Sequence, residues 1–291
     1  MKSPVQPAKL IHFACLLVLL ITCNAFAAAK PEILTLQTHG RDVQIWHWTP
    51  AAEAKGIILF SHGAASAPLQ YVRIIEPWVD AGYAVYAPLH VDSVEHPRTS
   101  EFQGLASWSA RLQDMQLLAD EFGSGGYIAA GHSYGALTAL VKGGATGLLP
   151  DGVDNPDDPR VSVVLAFSPP AAIPGFIEKA GYATLSKPAL IQTGTKDILS
   201  EKMSWETHLD AWHAAPASGD RYALVLDDVD HYFGGAICRS DLPGPMQLEQ
   251  LQLAVDTSLN MLTAYNSSNN QADSALNKSL GEHPPMQLSR K

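Results

Sequence analysis

Three residues suited to nucleophilic catalysis follow strand-like segments of this 291-residue sequence. They are Ser133, Asp197 and His231, and they occur along the chain in the order serine, acid, histidine. A serine hydroxyl becomes a strong nucleophile when a histidine removes its proton and an acid orients that histidine. These residue types therefore predict acyl transfer, provided that the fold brings the three side chains together.

Ser133 is the centre of a G-x-S-x-G pattern, Gly131-His132-Ser133-Tyr134-Gly135. The apolar run Tyr127–Ala130 precedes the pattern, and an Ala/Leu-rich run to Val141 follows it, which predicts a sharp turn between a strand and a helix. Such a turn strains the backbone at the serine and requires glycine two residues before and after it. It also holds the hydroxyl above a helix N-terminus, where negative charge is favoured. The alternative is an ordinary glycine-rich turn with a buried serine.

The acid and the histidine follow later strand-like segments. Asp197 comes directly after the predicted strand Ala189–Thr193, and His231 lies in a loop after the predicted strand Arg221–Leu226. An acid past a late strand can reach a histidine across the end of a parallel sheet. Asp197 could instead cap a helix or a turn. In that case the acid would be one of its neighbours on the histidine loop: Asp227, Asp228 or Asp230.

A fourth strand end predicts an oxyanion hole. Ser61-His62-Gly63-Ala64 follows the continuous apolar run Gly56–Phe60. A loop at this place can bring the backbone N–H group of Ala64 beside that of Tyr134, and two such donors would stabilise a tetrahedral oxyanion. The alternative is an ordinary glycine turn after a strand.

We expect no metal and no organic cofactor. His90, Asp92 and His96 lie close together in sequence, but their spacing fits no common zinc pattern. Cys238 is the cysteine that remains outside the N-terminal segment, and we expect it to be a free, at least partly buried thiol.

Strand-like and helix-like segments alternate from residue 32 onward, which predicts an α/β domain over residues 30–265. Its sheet should be mostly parallel, with helices on both faces and the active site at the carboxyl ends of the strands. Residues 266–291 are rich in Asn, Ser and Gln without periodicity, and we expect a mobile tail there. The predicted helices lie around 71–81, 101–122, 134–141 and 201–213, and a last helix is predicted to begin at Pro245.

Residues 1–29 have the pattern of a signal peptide. Lys2 and Lys9 precede the apolar run Leu10–Ile21, and small residues follow it, which predicts cleavage after Ala27 or Ala29. A membrane anchor is the alternative, but the apolar run is short for a span. We therefore expect an exported protein, periplasmic or secreted, with no stable membrane insertion after cleavage.

The four strand ends together resemble those of the α/β-hydrolase superfamily over essentially all of residues 32–265. Within it the chain looks like the dienelactone-hydrolase and platelet-activating-factor-acetylhydrolase-like serine esterases, including exported polyester hydrolases. The chain departs from dienelactone hydrolases in having serine as the nucleophile instead of cysteine. It also has Ala136 after the turn, where many lipases and cutinases have a second glycine. The resemblance implies an α/β-hydrolase fold with a short cap or none.

The sequence therefore predicts a serine esterase acting through an acyl-enzyme on a small-molecule or polymeric ester. About twenty residues, 168–188, separate two predicted strands, so the site should be open and apolar-rimmed. The net charge of −10 argues against a nucleic-acid partner and against an anionic membrane surface. An amidase, a peptidase or an acyltransferase could use the same triad. A catalytically silent binding protein with this fold is the remaining alternative.

Overall fold

A ten-stranded sheet forms the centre of the computed structural model, which describes residues 30–102, 105–145, 157–173, 176–201, 203–266 and 270–291. The strands are β1 (Glu32–Thr38), β2 (Arg41–Trp48), β3 (Gly56–Ser61), β4 (Tyr83–Pro88), β5 (Tyr127–His132), β6 (Val161–Phe167), β7 (Ala189–Gly194), β8 (Arg221–Leu226), β9 (Gly281–His283) and β10 (Met286–Arg290). The helices are α1 (Val72–Asp80), α2 (Leu105–Phe122), α3 (Tyr134–Lys142), α4 (Asp210–Ala214), α5 (Leu248–Asn266) and α6 (Asn270–Lys278).

The six central strands are parallel, in the spatial order β4-β3-β5-β6-β7-β8. Antiparallel pairs extend the sheet at both edges, with β1 and β2 beside β4 and with β10 and β9 beside β8. The predicted mostly parallel sheet is confirmed. Because β3, β5, β7 and β8 all run the same way, the loops that carry the predicted site residues leave one edge of the sheet together.

Successive strand residues enter two different hydrophobic cores, one on each face of the sheet. Ile58 and Phe60 of β3 belong to the core that also contains side chains of α1 and α5. Leu59, between them, belongs to the core that contains side chains of α2, α3 and α4. Side chains alternate across a strand, so a continuous apolar run is what a sheet covered on both faces requires.

The C-terminal segment corrects the expectation of a mobile tail at residues 266–291. Residues 270–291 form α6, β9 and β10, and β10 pairs antiparallel with β8. Leu276 of α6 and Leu288 of β10 are fully buried in the core beside α5. Strand pairing is mostly a backbone interaction, and two buried leucines are too few to produce a periodic pattern in the sequence. The segment covers what would otherwise be an open sheet edge at β8.

The predicted helix at 201–213 is shorter than expected. A 3₁₀ turn at Trp205–Leu209 leads into the single-turn helix α4. Between β6 and β7 the described residues contain a 3₁₀ turn at Lys179–Thr184 and an isolated bridge between Ile173 and Ile177, so the cap is short, as expected. The predicted signal peptide, residues 1–29, lies outside the described residues. Elsewhere, within the parts of the chain that the structure describes, no helix has the length and apolarity needed to cross a membrane.

Candidate active site

Ser133 occupies the strained turn that its sequence pattern predicts. It lies between β5 and α3 with φ 53° and ψ −123°, in a region that L residues rarely adopt. A side chain at Gly131 would overlap the carbonyl group of Gly135, and one at Gly135 would overlap the carbonyl oxygen of Ser61. The two glycines thus allow β5, β3 and α3 to meet closely enough to hold the serine at the start of the helix.

Asp197 and His231 form a hydrogen-bonded pair beside this turn. The His231 Nδ1 atom lies 2.7 Å from the Asp197 Oδ1 atom, and both side chains are buried. Thr193, on β7, donates a second hydrogen bond to the Oδ2 atom, at 3.0 Å. Burial opposes the ionisation of Asp197, but hydrogen bonds from His208 and His231 outweigh it and lower its pKa. An ionised Asp197 holds the Nδ1 proton of His231 and so leaves its Nε2 atom free to act as a base.

The alternative acids Asp228 and Asp230 bond other groups than the His231 ring. Asp228 is exposed and pairs with Lys196 at 2.9 Å. The Oδ1 atom of Asp230 accepts the backbone N–H groups of Tyr232 and Gly234, at 2.8 and 3.0 Å. Asp230 therefore shapes the loop that carries His231, while Asp197 contacts the histidine itself.

His132 connects the serine turn to the histidine loop. Its ring lies 4.7 Å from the ring of His231, between centroids, and its Nε2 atom donates a hydrogen bond to the His231 carbonyl oxygen at 2.9 Å. Its Nδ1 atom accepts the hydroxyl hydrogen of Tyr71 at 3.0 Å, and Tyr71 in turn accepts the Gly63 N–H group at 2.9 Å. Burial, followed by repulsion from His231, lowers the pKa of His132 to about 3, which keeps this ring neutral. The structure thus brings His231 and Asp197 into direct contact, and it connects Ser133 to them through the adjacent residue His132.

A cavity of about 850 Å³ opens at Ser133. Ala64 and Tyr134, the two predicted oxyanion-hole residues, line the same cavity. Tyr134 is the first residue of α3, where a backbone N–H group has no carbonyl one turn earlier to bond. The walls are mainly apolar, and their apolar residues are Ala64, Ala65, Phe102, Pro170, Ile173 and Phe176. Such a cavity suits an uncharged substrate with an apolar part.

Arg111, on α2, fixes the loop that carries Ala64. Its guanidinium group is fully buried and donates to the carbonyl oxygens of His62 and Gly63, at 2.7 and 3.1 Å. The group also lies over the ring of Tyr134, 4.5 Å from the centroid. One cation therefore contacts both sides of the predicted oxyanion hole. The sequence contains a signal for it, because Arg111 lies on the apolar face of α2 between Trp108 and Met115.

The candidate metal residues after β4 have other partners. Asp92 forms a bidentate ion pair with Arg111, at 2.8 and 2.9 Å. Burial opposes its ionisation, but Arg111 outweighs burial and lowers the pKa of Asp92. His90 bonds Ser61 and Asp114, and His96 accepts the backbone N–H group of Arg98 at 3.2 Å. His90, through Ser61, and Asp92, through Arg111, thus support the loop that carries Ala64, whereas His96 bonds within its own segment.

Ser61, His90 and Asp114 form a second Ser–His–Asp group, which the sequence patterns did not indicate. The Ser61 hydroxyl lies 2.8 Å from His90 Nε2, and His90 Nδ1 lies 2.9 Å from Asp114 Oδ2. All three side chains are completely buried, and Ser61 also accepts a hydrogen bond from Arg111 at 3.3 Å. Burial raises the pKa of Asp114 to about 7, against the opposing effect of Arg41.

His208 is a further residue at the site that no sequence pattern indicated. Its Nε2 atom lies 3.1 Å from the Oδ1 atom of Asp197, and its ring lies 5.7 Å from the ring of His231. Nitrogen and oxygen atoms of these three side chains lie within 4.8 Å of one another, a spacing that metal sites share. The individual contacts of 2.7 and 3.1 Å are those of hydrogen bonds.

Cys238 is a buried free cysteine, as expected. Burial raises the pKa of its thiol, so this group stays protonated and weakly reactive at neutral pH.

No protein-family model matches the sequence, and comparison with curated proteins finds no significant match. Solved structures do match. A predicted dienelactone hydrolase from Klebsiella pneumoniae is 14% identical with a TM-score of 0.57, over 82% of this chain and 98% of that one. An esterase domain from Rhodothermus marinus is 15% identical with a TM-score of 0.53, over 82% and 100%. Esterase 2 from Thermogutta terrifontis, phosphorylated by paraoxon, is 16% identical with a TM-score of 0.53, over 81% and 95%.

The chain has the α/β-hydrolase fold. In this fold the residue at the turn after β5, the loop after β3 and the loops after the later strands converge at one edge of the sheet. Ser133, Ala64, Asp197 and His231 occupy those places here. Sequence identities this low support the fold and leave the activity to be argued from the site itself.

Proposed function

We propose that this protein is a serine hydrolase that cleaves carboxylic esters. The observation that carries the proposal is the 2.7 Å hydrogen bond between Asp197 and His231, beside a strained serine that opens onto a cavity. A strained backbone conformation costs free energy, and it persists where the fold needs the side chain in one place. Esterases and a thioesterase domain are among the similar structures, so the choice of a carboxylic ester within this proposal is decided by the substrate test.

In the proposed reaction the Ser133 hydroxyl oxygen attacks the ester carbonyl carbon while His231 Nε2 takes the hydroxyl proton. Asp197 keeps the histidine oriented and stabilises its cationic form. The backbone N–H groups of Ala64 and Tyr134 stabilise the negative oxygen of the tetrahedral intermediate. The C–O bond to the alcohol then breaks, and His231 returns the proton to the leaving oxygen. Water, activated by the same histidine, cleaves the acyl-enzyme and regenerates Ser133.

The cavity supports a substrate with an apolar acyl group or an extended ester chain. Three apolar side chains line the cavity, those of Phe102, Ile173 and Phe176. The segment between β6 and β7 is too short to enclose a large lipid. We propose a small-molecule or polymeric ester as the substrate. We propose no nucleic-acid partner, in keeping with the net charge of −10.

We further propose that the protein is exported and loses its N-terminal segment by cleavage after Ala27 or Ala29. The charged start, the apolar run and the small residues at 25–29 support a signal peptide. N-terminal sequencing of the exported protein should give a chain that starts at Ala28 or Lys30. A mature chain that retains the apolar run would refute export by this route.

The test of the proposed activity is a series of p-nitrophenyl esters from acetate to palmitate, with the matching p-nitroanilides as amide substrates. We expect hydrolysis of the esters, fastest for short acyl chains, and little hydrolysis of the anilides. Ser133→Ala should abolish the activity, whereas Ser100→Ala is the matched control because Ser100 lines the same cavity. Turnover that survives Ser133→Ala would refute the assignment, and anilide turnover equal to that of the esters would favour an amidase.

A further inference from the structure

His208 makes hydrogen bonds from both of its ring nitrogens to atoms that only accept. It lies in the 3₁₀ turn before α4, and its side chain is completely buried. The Nδ1 atom is 2.7 Å from the carbonyl oxygen of Pro169. The Nε2 atom is 3.1 Å from the carboxylate Oδ1 atom of Asp197 and 3.1 Å from the backbone carbonyl oxygen of the same residue.

These partners determine the protonation state of the ring. A carbonyl oxygen cannot donate a hydrogen bond, so Nδ1 must carry a hydrogen to bond Pro169. Nε2 faces a second carbonyl and a carboxylate, so it must carry a hydrogen as well. A neutral imidazole has one N–H group, and this arrangement requires two. His208 is therefore an imidazolium in this geometry.

Asp197 has the matching arrangement. Its carboxylate accepts from His231, from His208 and from the hydroxyl of Thr193, at 2.7, 3.1 and 3.0 Å. Three donors favour the ionised carboxylate. The negative charge of Asp197 is thus balanced by a buried cation that is separate from the histidine proposed as the base.

Other titratable groups around His208 come from each neighbouring element. His132, at the end of β5, stays neutral because burial lowers its pKa. His231 approaches from the loop after β8. On the side of α4, Asp210 pairs with Lys179 at 2.7 Å, so its charge is balanced locally. Asp197 is therefore the anion that His208 contacts directly.

We propose that His208 is a positioning residue for the Asp197–His231 pair: as an imidazolium it fixes the Asp197 carboxylate, and it releases that carboxylate when it loses its proton as the pH rises. The role in catalysis rests on the proposed function, whereas the charge of His208 follows from the contacts alone. The electrostatics agree, since burial disfavours the cation but Asp197 outweighs burial and raises the pKa of His208.

The test combines the pH dependence of ester hydrolysis with ¹⁵N nuclear magnetic resonance of the histidine rings. The proteins are the wild type, His208→Gln, which removes the charge, and His208→Arg, which keeps it. His213→Gln is the matched control because His213 is an exposed histidine close by on α4.

We expect kcat/KM of wild type to fall on the alkaline side at the pH where the His208 ring loses a proton. This alkaline decrease should be absent from His208→Gln, with kcat/KM about tenfold below wild type at neutral pH, and His208→Arg should recover most of the loss.

The spectra decide the charge without any activity. Both ring nitrogens of His208 should carry protons at pH 7 in wild type, and Asp197→Asn should lower the pH at which His208 loses its proton. A neutral His208 at pH 7 in the wild-type spectrum would overturn the proposal, whether or not the variants fold. An alkaline decrease that persists in His208→Gln would overturn the positioning role. If wild type hydrolyses no ester while the His208 signals are as expected, the proposed function fails and the charge assignment stands.

Discussion

The serines of two Ser–His–Asp groups lie at the ends of the neighbouring strands β3 and β5, and the groups differ in what surrounds the serine. Ser133 opens onto a cavity of about 850 Å³ from a backbone with φ 53°. Ser61 is the last residue of β3, and it is completely buried. The two acids also differ, because the pKa of Asp197 is lowered whereas burial raises that of Asp114 to about 7.

The buried group has the hydrogen bonds of a catalytic triad, and it differs from the Ser133 group in the access of a substrate to the serine. A buried serine hydroxyl has no room for a substrate carbonyl, and Arg111 already donates to it at 3.3 Å. The hydrogen bonds of Ser61 and His90 instead hold the start of the loop that leads to Ala64. We infer that the buried Ser61 group supports the loop that carries Ala64 and that the accessible Ser133 group performs the chemistry.

Ser133→Ala should give the largest effect, a loss of about 10⁶-fold in kcat, because a triad without its nucleophile retains only binding and oxyanion stabilisation. Ser61→Ala should keep kcat within about tenfold of wild type, since its lost hydrogen bonds are structural. Steady-state hydrolysis of p-nitrophenyl acetate measures both variants. Equal losses in the two would mean that the buried group takes part in the reaction.

Asp197→Asn should lower kcat by about 10⁴-fold, since an amide no longer selects the histidine tautomer that leaves Nε2 free. Asp114→Asn removes the corresponding acid of the buried group and should stay within about tenfold per folded molecule. The same assay with correction for the folded fraction compares them. A greater loss in Asp114→Asn would reverse the assignment of the two groups.

Arg111→Lys should lower kcat about 100-fold with KM little changed, comparable to losing one oxyanion-hole donor. A lysine cannot bond the His62 and Gly63 carbonyls and Asp92 together, so the loop with Ala64 would lose its fixed position. Arg98→Lys is the control, because Arg98 makes an exposed ion pair with Glu101. A rise in KM at constant kcat would show that Arg111 serves substrate binding instead.

The smallest effect concerns the pH dependence of stability at Asp114. Its pKa rises on folding from 3.8 to about 7, so its contribution to stability is complete below about pH 4 and is lost as the pH rises through about 7. The free energy of unfolding of wild type relative to Asp114→Asn should therefore decrease over that range, by about 4 kcal/mol. Urea denaturation at several pH values measures the difference. A difference that grows with pH would contradict the effect of burial.

The sequence predicted the accessible group because its signals are local. Each predicted site residue follows an apolar run that is recognisable as a strand, and the glycines around Ser133 report a turn that other residues cannot form. To predict that Asp197 pairs with His231, only the order of the strands in a parallel sheet was needed. The spatial relation of these elements therefore follows from the amino-acid sequence and the geometry of parallel sheets.

The supporting residues were missed because their contacts join distant segments. Arg111 bonds Gly63, 48 residues away, and His90 bonds Asp114, 24 residues away. No local pattern gives such a pair, although a charged residue on the apolar face of α2 is a hint. The C-terminal hairpin was missed for a related reason, since backbone pairing with β8 leaves almost no trace in side-chain periodicity.

The most direct test of the central claim is covalent labelling of the wild-type protein with an organophosphonate, followed by mass spectrometry of its peptides. Such a probe reacts with a serine that is both activated and accessible. We expect one equivalent of label on the peptide that contains Ser133 and none on the peptide that contains Ser61. Label on Ser61, or a folded protein without label, would contradict the assignment of Ser133 as the nucleophile.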